Sequence, residues 1–263
     1  MRRSSVFWGT ILLLVGVAFL LQTLGIITIS VWGILFPAFL IVVGAYIIFA
    51  PILFKRDLKE EQVVIPLNSA PEASIKLDFG AGRLAITGGA GSDLLTGKAF
   101  GGAEVETERD GNRLKARLHI PETWFWGWTP EMRHGYEWNF LLTEAIPLSL
   151  KINTGASENK LDLTTLRVNK LKVDTGASST SITLPATAGF TEVRIQSGAA
   201  SIDLHAPQGI AVRMKVEGAL SNTQVDTQRF PRVGNLWVSP DFETAANRAD
   251  VVVQIGAGSV RLD

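Results

Sequence analysis

The chain has no cysteine among its 263 residues. That excludes a disulfide framework, a thiolate nucleophile and cysteine-ligated zinc. Histidine is nearly as scarce. His119, His134 and His205 are scattered, and no two have the spacing of a helical zinc pair, so no metal and no cofactor is expected. An excess of either charge is lacking too, since 25 Lys and Arg meet 25 Asp and Glu. The basic residues are dispersed among acids, which leaves no electrostatic footprint for nucleic acid.

Charge is missing altogether from two long runs. SVFWGTILLLVGVAFLLQTL fills residues 5–24 and VWGILFPAFLIVVGAYIIFAPILF fills 31–54. As helices, both are long enough to cross about 30 Å of hydrocarbon. The first run exceeds the core of a cleaved signal and a second follows at once, so it is expected to be retained. Arg2 and Arg3 precede the first span, Lys55, Arg56 and Lys59 follow the second, and the link GIITIS is uncharged. The positive-inside rule then places both ends in the cytoplasm, giving a two-span anchor over residues 1–57 in the lipid bilayer. Neither span carries an Asp, Glu, Lys, Arg or His that would mark an ion or proton path.

Beyond Glu60, apolar and polar residues alternate between Gly and Pro punctuation, the pattern of short half-buried strands. Stacked segments repeat: IKLDFGAGRLAI from Ile75, LKINTGASENKLDL from Leu150, LKVDTGASSTSITL from Leu171, VRIQSGAASIDL from Val193, VRMKVEGALSNTQV from Val212 and VVVQIGAGSVRL from Val251. Each reads as strand, Gly-Ala corner, strand. The corners are Gly80-Ala81, Gly155-Ala156, Gly176-Ala177, Gly198-Ala199, Gly218-Ala219 and Gly256-Ala257, with intervals of 21, 22 and 20 residues between the central four. Such intervals predict an all-β solenoid over residues 63–263, in which each coil buries its apolar face on its neighbours. The glycine is expected to supply positive φ at the bend and the alanine to let corners stack.

Two residues before each glycine, Asp78, Asn153, Asp174, Gln196 and Gln254 are expected on the outer face. The unit at Gly218 is out of step by one, which predicts a bulge or slip. The 38 residues from Gly218 to Gly256 leave room for a further coil, and the final strand is expected to close one end. Asp110-Gly111 predicts a tight hairpin.

Asp174-Thr175-Gly176 spells the loop of an aspartic protease, but that chemistry needs two aspartates sharing one proton. Three repeat equivalents of Asp174 are the amides Asn153, Gln196 and Gln254, and the fourth, Asp78, sits in DFG and not DTG, so the loop reads as one coil of the repeat. GSDLLTGKA has one residue too many for a phosphate loop, and GAGRLA lacks the third glycine of a dinucleotide fingerprint. No catalytic constellation remains, and the chain is not expected to be an enzyme. An insertion over about 121–140 carries Trp124, Trp126, Trp128 and Trp138, four of the seven tryptophans, which suit a core cap, a membrane or protein contact, or a ligand site.

The two-span N-terminus, LKINTGASENKLDLTTLRVNKLKVDTGASSTSITLP and the closing RFPRVGNLWVSPDFETAANRADVVVQIGAGSVRL together resemble the LiaF-like, cell-wall-active antibiotics response membrane proteins of bacteria. The resemblance implies a membrane-anchored β-solenoid domain of toastrack type and a part in envelope-stress signalling, with a membrane sensor histidine kinase as partner. The alternative is a structural, self-associating scaffold or adhesion-type module.

Overall fold

The computed structural model describes residues 60–121 and 136–263, with helical residues 36, 37, 39–41 and 43–45 before them. The expected span 5–24 falls outside the described residues, as do two thirds of 31–54, and among those described no helix is long and apolar enough to cross a membrane. Phe36, Phe39, Leu40 and Ile41 are nonetheless large apolar side chains left exposed. The chain divides into two compact units, and the strands among the described residues all lie in the larger.

Three strands open the β region, β1 (Glu60–Pro66), β2 (Glu72–Gly88) and β3 (Asp93–Phe100). A hairpin of β4 (Glu104–Asp110) and β5 (Arg113–His119) follows, then β6 (Tyr136–Leu142). Long strands come next: β7 (Leu148–Asp162), β8 (Val168–Thr183), β9 (Phe190–His205) and β10 (Ile210–Val225). The short β11 (Arg232–Val233) and β12 (Leu236–Val238) precede β13 (Asn247–Leu262). The region begins at Glu60, three residues before the expected boundary.

Six long strands stack side by side in the order β2, β7, β8, β9, β13, β10, and every neighbouring pair is parallel. Each is one strand that changes face halfway. In β8, Leu171, Val173 and Thr175 are buried, and burial resumes at Thr180 and Ile182. Residues on one face of a straight strand lie an even number apart. The odd step from 175 to 180 therefore requires a bend, and the ladder skips there, with Thr154 opposite Thr175 and then Ala156 opposite Ala177. The bend falls at Gly155 and Gly176, so both arms of each strand face one core.

None of the corner glycines has positive φ, which corrects the expected reason for them. Close packing is the cause instead. A Cβ would meet the carbonyl oxygen of the preceding glycine at 2.7 Å on Gly155, 2.9 Å on Gly176, 3.1 Å on Gly198 and 2.6 Å on Gly256. A spine of backbone on backbone leaves no space for a side chain. Positive φ falls two residues later at Gly82 (137°) and Gly258 (138°).

Apolar ladders run across the rungs. Ile75, Leu150, Leu171, Val193, Val251 and Met214 are successive partners in the first arm, none more than 2% exposed. Ile86, Leu161, Ile182, Leu204 and Leu262 do the same in the second. Full burial of one such side chain contributes about 1.5–3 kcal/mol against the unfolded chain. Asn159 interrupts one apolar row, and its amide donates to Thr180 Oγ1 at 3.0 Å.

β2 forks at its other edge. Its first arm pairs with β5 and its second with β6, so the two arms continue as separate sheet edges. The predicted hairpin forms between β4 and β5, with Asp110 opposite Arg113 and Gly111 at φ 58°.

Three expectations about the end of the chain are overturned. β13 does not close an end: it lies between β9 and β10, paired to both. The segment between β10 and β13 is not a further coil, because β12 and β11 add antiparallel to the first arm of β10. Nor does β10 slip, since its register with β13 is continuous, and Gly218 lies opposite Ile255 and Leu220 opposite Ala257. That places Ala219 at the level of Gly256, so the corner is one residue beyond Gly218.

Candidate functional site

On the outer face, two residues before each bend, one side chain per rung forms a row. In spatial order it runs Asp78, Asn153, Asp174, Gln196, Gln254, Glu217, each opposite the next in the ladders. The five residues expected at this position from the sequence are thus brought together. Glu217 was missed because counting from Gly218 is off by one. A local signal marks it all the same: Lys215-Val-Glu217 has the form of Lys76-Leu-Asp78 and Lys172-Val-Asp174.

Side-chain hydrogen bonds tie the row in two groups, on either side of Asp174. Asn153 Nδ2 donates to Asp78 Oδ1 at 2.5 Å, Gln196 Nε2 to Gln254 Oε1 at 2.7 Å and Gln254 Nε2 to Glu217 Oε2 at 2.9 Å. Cations flank it. Lys76 and Arg117 reach Asp78 at 3.0 and 2.9 Å, Lys172 reaches Asp174 at 3.1 Å, and Lys215 reaches Glu217 at 2.6 Å. Burial acts to raise the Asp78 carboxyl, but Asn153, Lys76 and Arg117 outweigh it and hold the group below the usual aspartate range. Hydrogen bonds from Lys215 and then Gln254 hold Glu217 low as well.

Between Asp174 and Glu217 the surface sinks into a shallow depression of about 510 Å³, whose lining includes Gln196, Ser197, Gln254 and Gly256. It is open, and polar side chains alternate in its lining with apolar surface from Ile255 and the corner glycines. Asp174 stands between two amides, Asn153 and Gln196, rather than beside a second carboxylate. That is a surface for hydrogen bonds and charge, and not the proton-sharing pair of an aspartic protease.

The tryptophans divide. Trp124, Trp126 and Trp128 lie outside the described residues, while Trp138 is in β6 and fully buried. It packs on Phe79 and Phe140 at centroid distances of 5.0 and 5.4 Å and donates Nε1–H to the Gly102 carbonyl at 3.2 Å. Trp138 is therefore core, unavailable to a partner or a membrane. Alternation within YEWNFLL carries that signal, which reading the segment as one insertion obscured. His119 faces Glu104 at 3.0 Å and His205 faces Asp263, each in a separate surface pair.

No curated protein matches the chain. Similar solved structures include a candidate cell adhesion protein from Clostridium sporogenes, at 23% identity and TM-score 0.71, covering 78% of this chain and 98% of that one. A candidate adhesin from Bacteroides fragilis covers 80% of this chain and 98% of that one at 9% identity, with a TM-score of 0.27. The first is a likeness of fold. At the other end, the LiaF transmembrane domain matches residues 1–55, which associates the protein with the membrane. With the N-terminal domain of toast_rack, DUF2154, matching residues 54–205, more than half of its length, the chain belongs to that family.

Proposed function

We propose that this protein is a non-enzymatic regulator of the envelope-stress response, anchored by two spans over about 5–24 and 31–54 with both ends cytoplasmic. Its β domain is a solenoid of bent coils and works through protein–protein contacts, with a membrane sensor histidine kinase as the partner. The union of a LiaF transmembrane domain with a toast_rack domain in one chain carries this reading. The outer row from Asp78 to Glu217 is the surface assigned to the partner, because most of its side chains are already held by hydrogen bonds to a row neighbour, and Asp174 by Lys172, so they lose less freedom on binding.

Crosslinking in native membranes tests it. A specific kinase should be captured, and capture should fall when Asp174→Lys and Glu217→Lys reverse the charge of the depression. Recovery of self-contacts alone would favour the second reading, a structural scaffold, to which the fold likeness to a candidate cell adhesion protein lends support. A reporter fused after Asp263 tests orientation: activity outside the membrane would reverse it.

A further inference from the structure

The outer strands of this sheet differ in how they are protected. β4 is EVETERD, with five charged residues in seven, and β1 is EEQVVIP, with two glutamates and a proline. β11 is only two residues long. Charge, proline and shortness each discourage an edge from pairing with another chain. The second arm of β10 has none of these. Beyond Lys215, where β12 stops, β10 pairs with β13 on one side and with no strand on the other among the described residues. From Gly218 to Val225 it reads GALSNTQV, without a charge or a proline, and Leu220 is 77% exposed.

We propose that this edge, Gly218–Val225, is a homotypic docking surface that pairs with the same strand of a second copy of the chain. In an antiparallel pair about a twofold axis, each residue faces itself or its mirror position on the partner, so a charged edge would face its own charge. An uncharged run of eight residues, about 26 Å of strand, meets that condition. Its exposed side chains suit it as well. Asn222 and Gln224 carry amides, each both donor and acceptor, and the same chemistry already joins adjacent strands where Gln196 donates to Gln254 at 2.7 Å. Pairing would satisfy the open backbone groups of β10 and cover Leu220, Thr223 and Val225, which end the second-arm rows on this side.

The absence of native cysteine makes the test clean. Leu220→Cys, Asn222→Cys and Gln224→Cys are placed singly in the full chain in its membrane and oxidised, with Glu106→Cys on β4 as control. At least one of the three should form a disulfide-linked dimer and the control should not. The triple variants L220K/N222K/Q224K and L220E/N222E/Q224E should each lose the dimer, and co-expression of the two should restore it. Three monomeric cysteine variants, or a dimer that survives in both triple variants, would overturn the proposal. It stands apart from the regulator reading: a chain that captures no kinase yet dimerises here overturns that reading alone.

Discussion

A Cβ built on Gly176 would stand 2.9 Å from the carbonyl oxygen of Gly155 on the next strand. The approach repeats along the spine with graded severity, from 2.6 Å at Gly256 to 3.1 Å at Gly198. Single alanine substitutions should therefore destabilise in that order, with Gly256→Ala and Gly155→Ala costing roughly 1–3 kcal/mol and Gly198→Ala the least. Melting of the detergent-solubilised full chain reads this ranking. Equal Tm values for Gly155→Ala and the parent would show that the spine is looser than described.

Trp138 fills the core between Phe79 and Phe140. Trp138→Ala should cost about 3–5 kcal/mol through the cavity it leaves. Trp138→Phe should cost less, while leaving the Gly102 carbonyl without its indole donor. Both losses should appear in unfolding experiments. A variant that keeps its Tm but loses a binding partner would return Trp138 to the list of contact residues.

Acid should weaken the first-arm surface before the apolar core. A carboxylate held below its ordinary value contributes stability above about pH 3.9, the unfolded aspartate value, and that stability is lost as pH falls through the lowered native value. Asp78 is such a group, held down by Asn153, Lys76 and Arg117 against its burial. Asp78→Asn should flatten the fall of Tm below about pH 4 and lower Tm modestly at pH 7. An unchanged acid limb would remove Asp78 from the account.

Removing residues 247–263 takes out an inner strand, not a cap, because β13 is paired along nearly its whole length to both β9 and β10. Loss of cooperative unfolding and aggregation of the remainder are expected by light scattering and thermal scans. A soluble, cooperatively melting truncated chain would contradict the strand order.

Much of this architecture is written in the local sequence. The alternation of Leu171 and Val173, the repeated Gly-Ala and the polar residue two positions earlier all come from short-range constraints, and the ladders place them as the repeat implies. What spacing does not carry is spatial order. Two rungs with similar apolar faces can stack either way, so nothing near Val251 tells that β13 enters between β9 and β10. Glu217 lies between these cases: a glycine one residue before the bend mimics a corner, the one-residue offset of the unit is visible in the sequence, and the pairing of Gly218 with Ile255 shows that the offset moves the corner and does not bulge the strand. Of the roles that the tryptophans suit, Trp138 takes the core one, and the alternation of YEWNFLL is the local pattern that buries it.

The place of β13 also imposes an order of events. β9 must keep one edge open through the synthesis of β10, β11 and β12, because the strand that will occupy it, Arg248 against Phe190 through Leu262 against Leu204, is made later. β10 meanwhile has no long neighbour at all. Nascent chains therefore pass through a stage in which β9 has one open edge and β10 has no long partner, and closing the gap requires contacts 58 residues apart, as between Gln196 and Gln254. Long-range parallel pairing of this kind is slow, so the protein's window of vulnerability lies in its biogenesis.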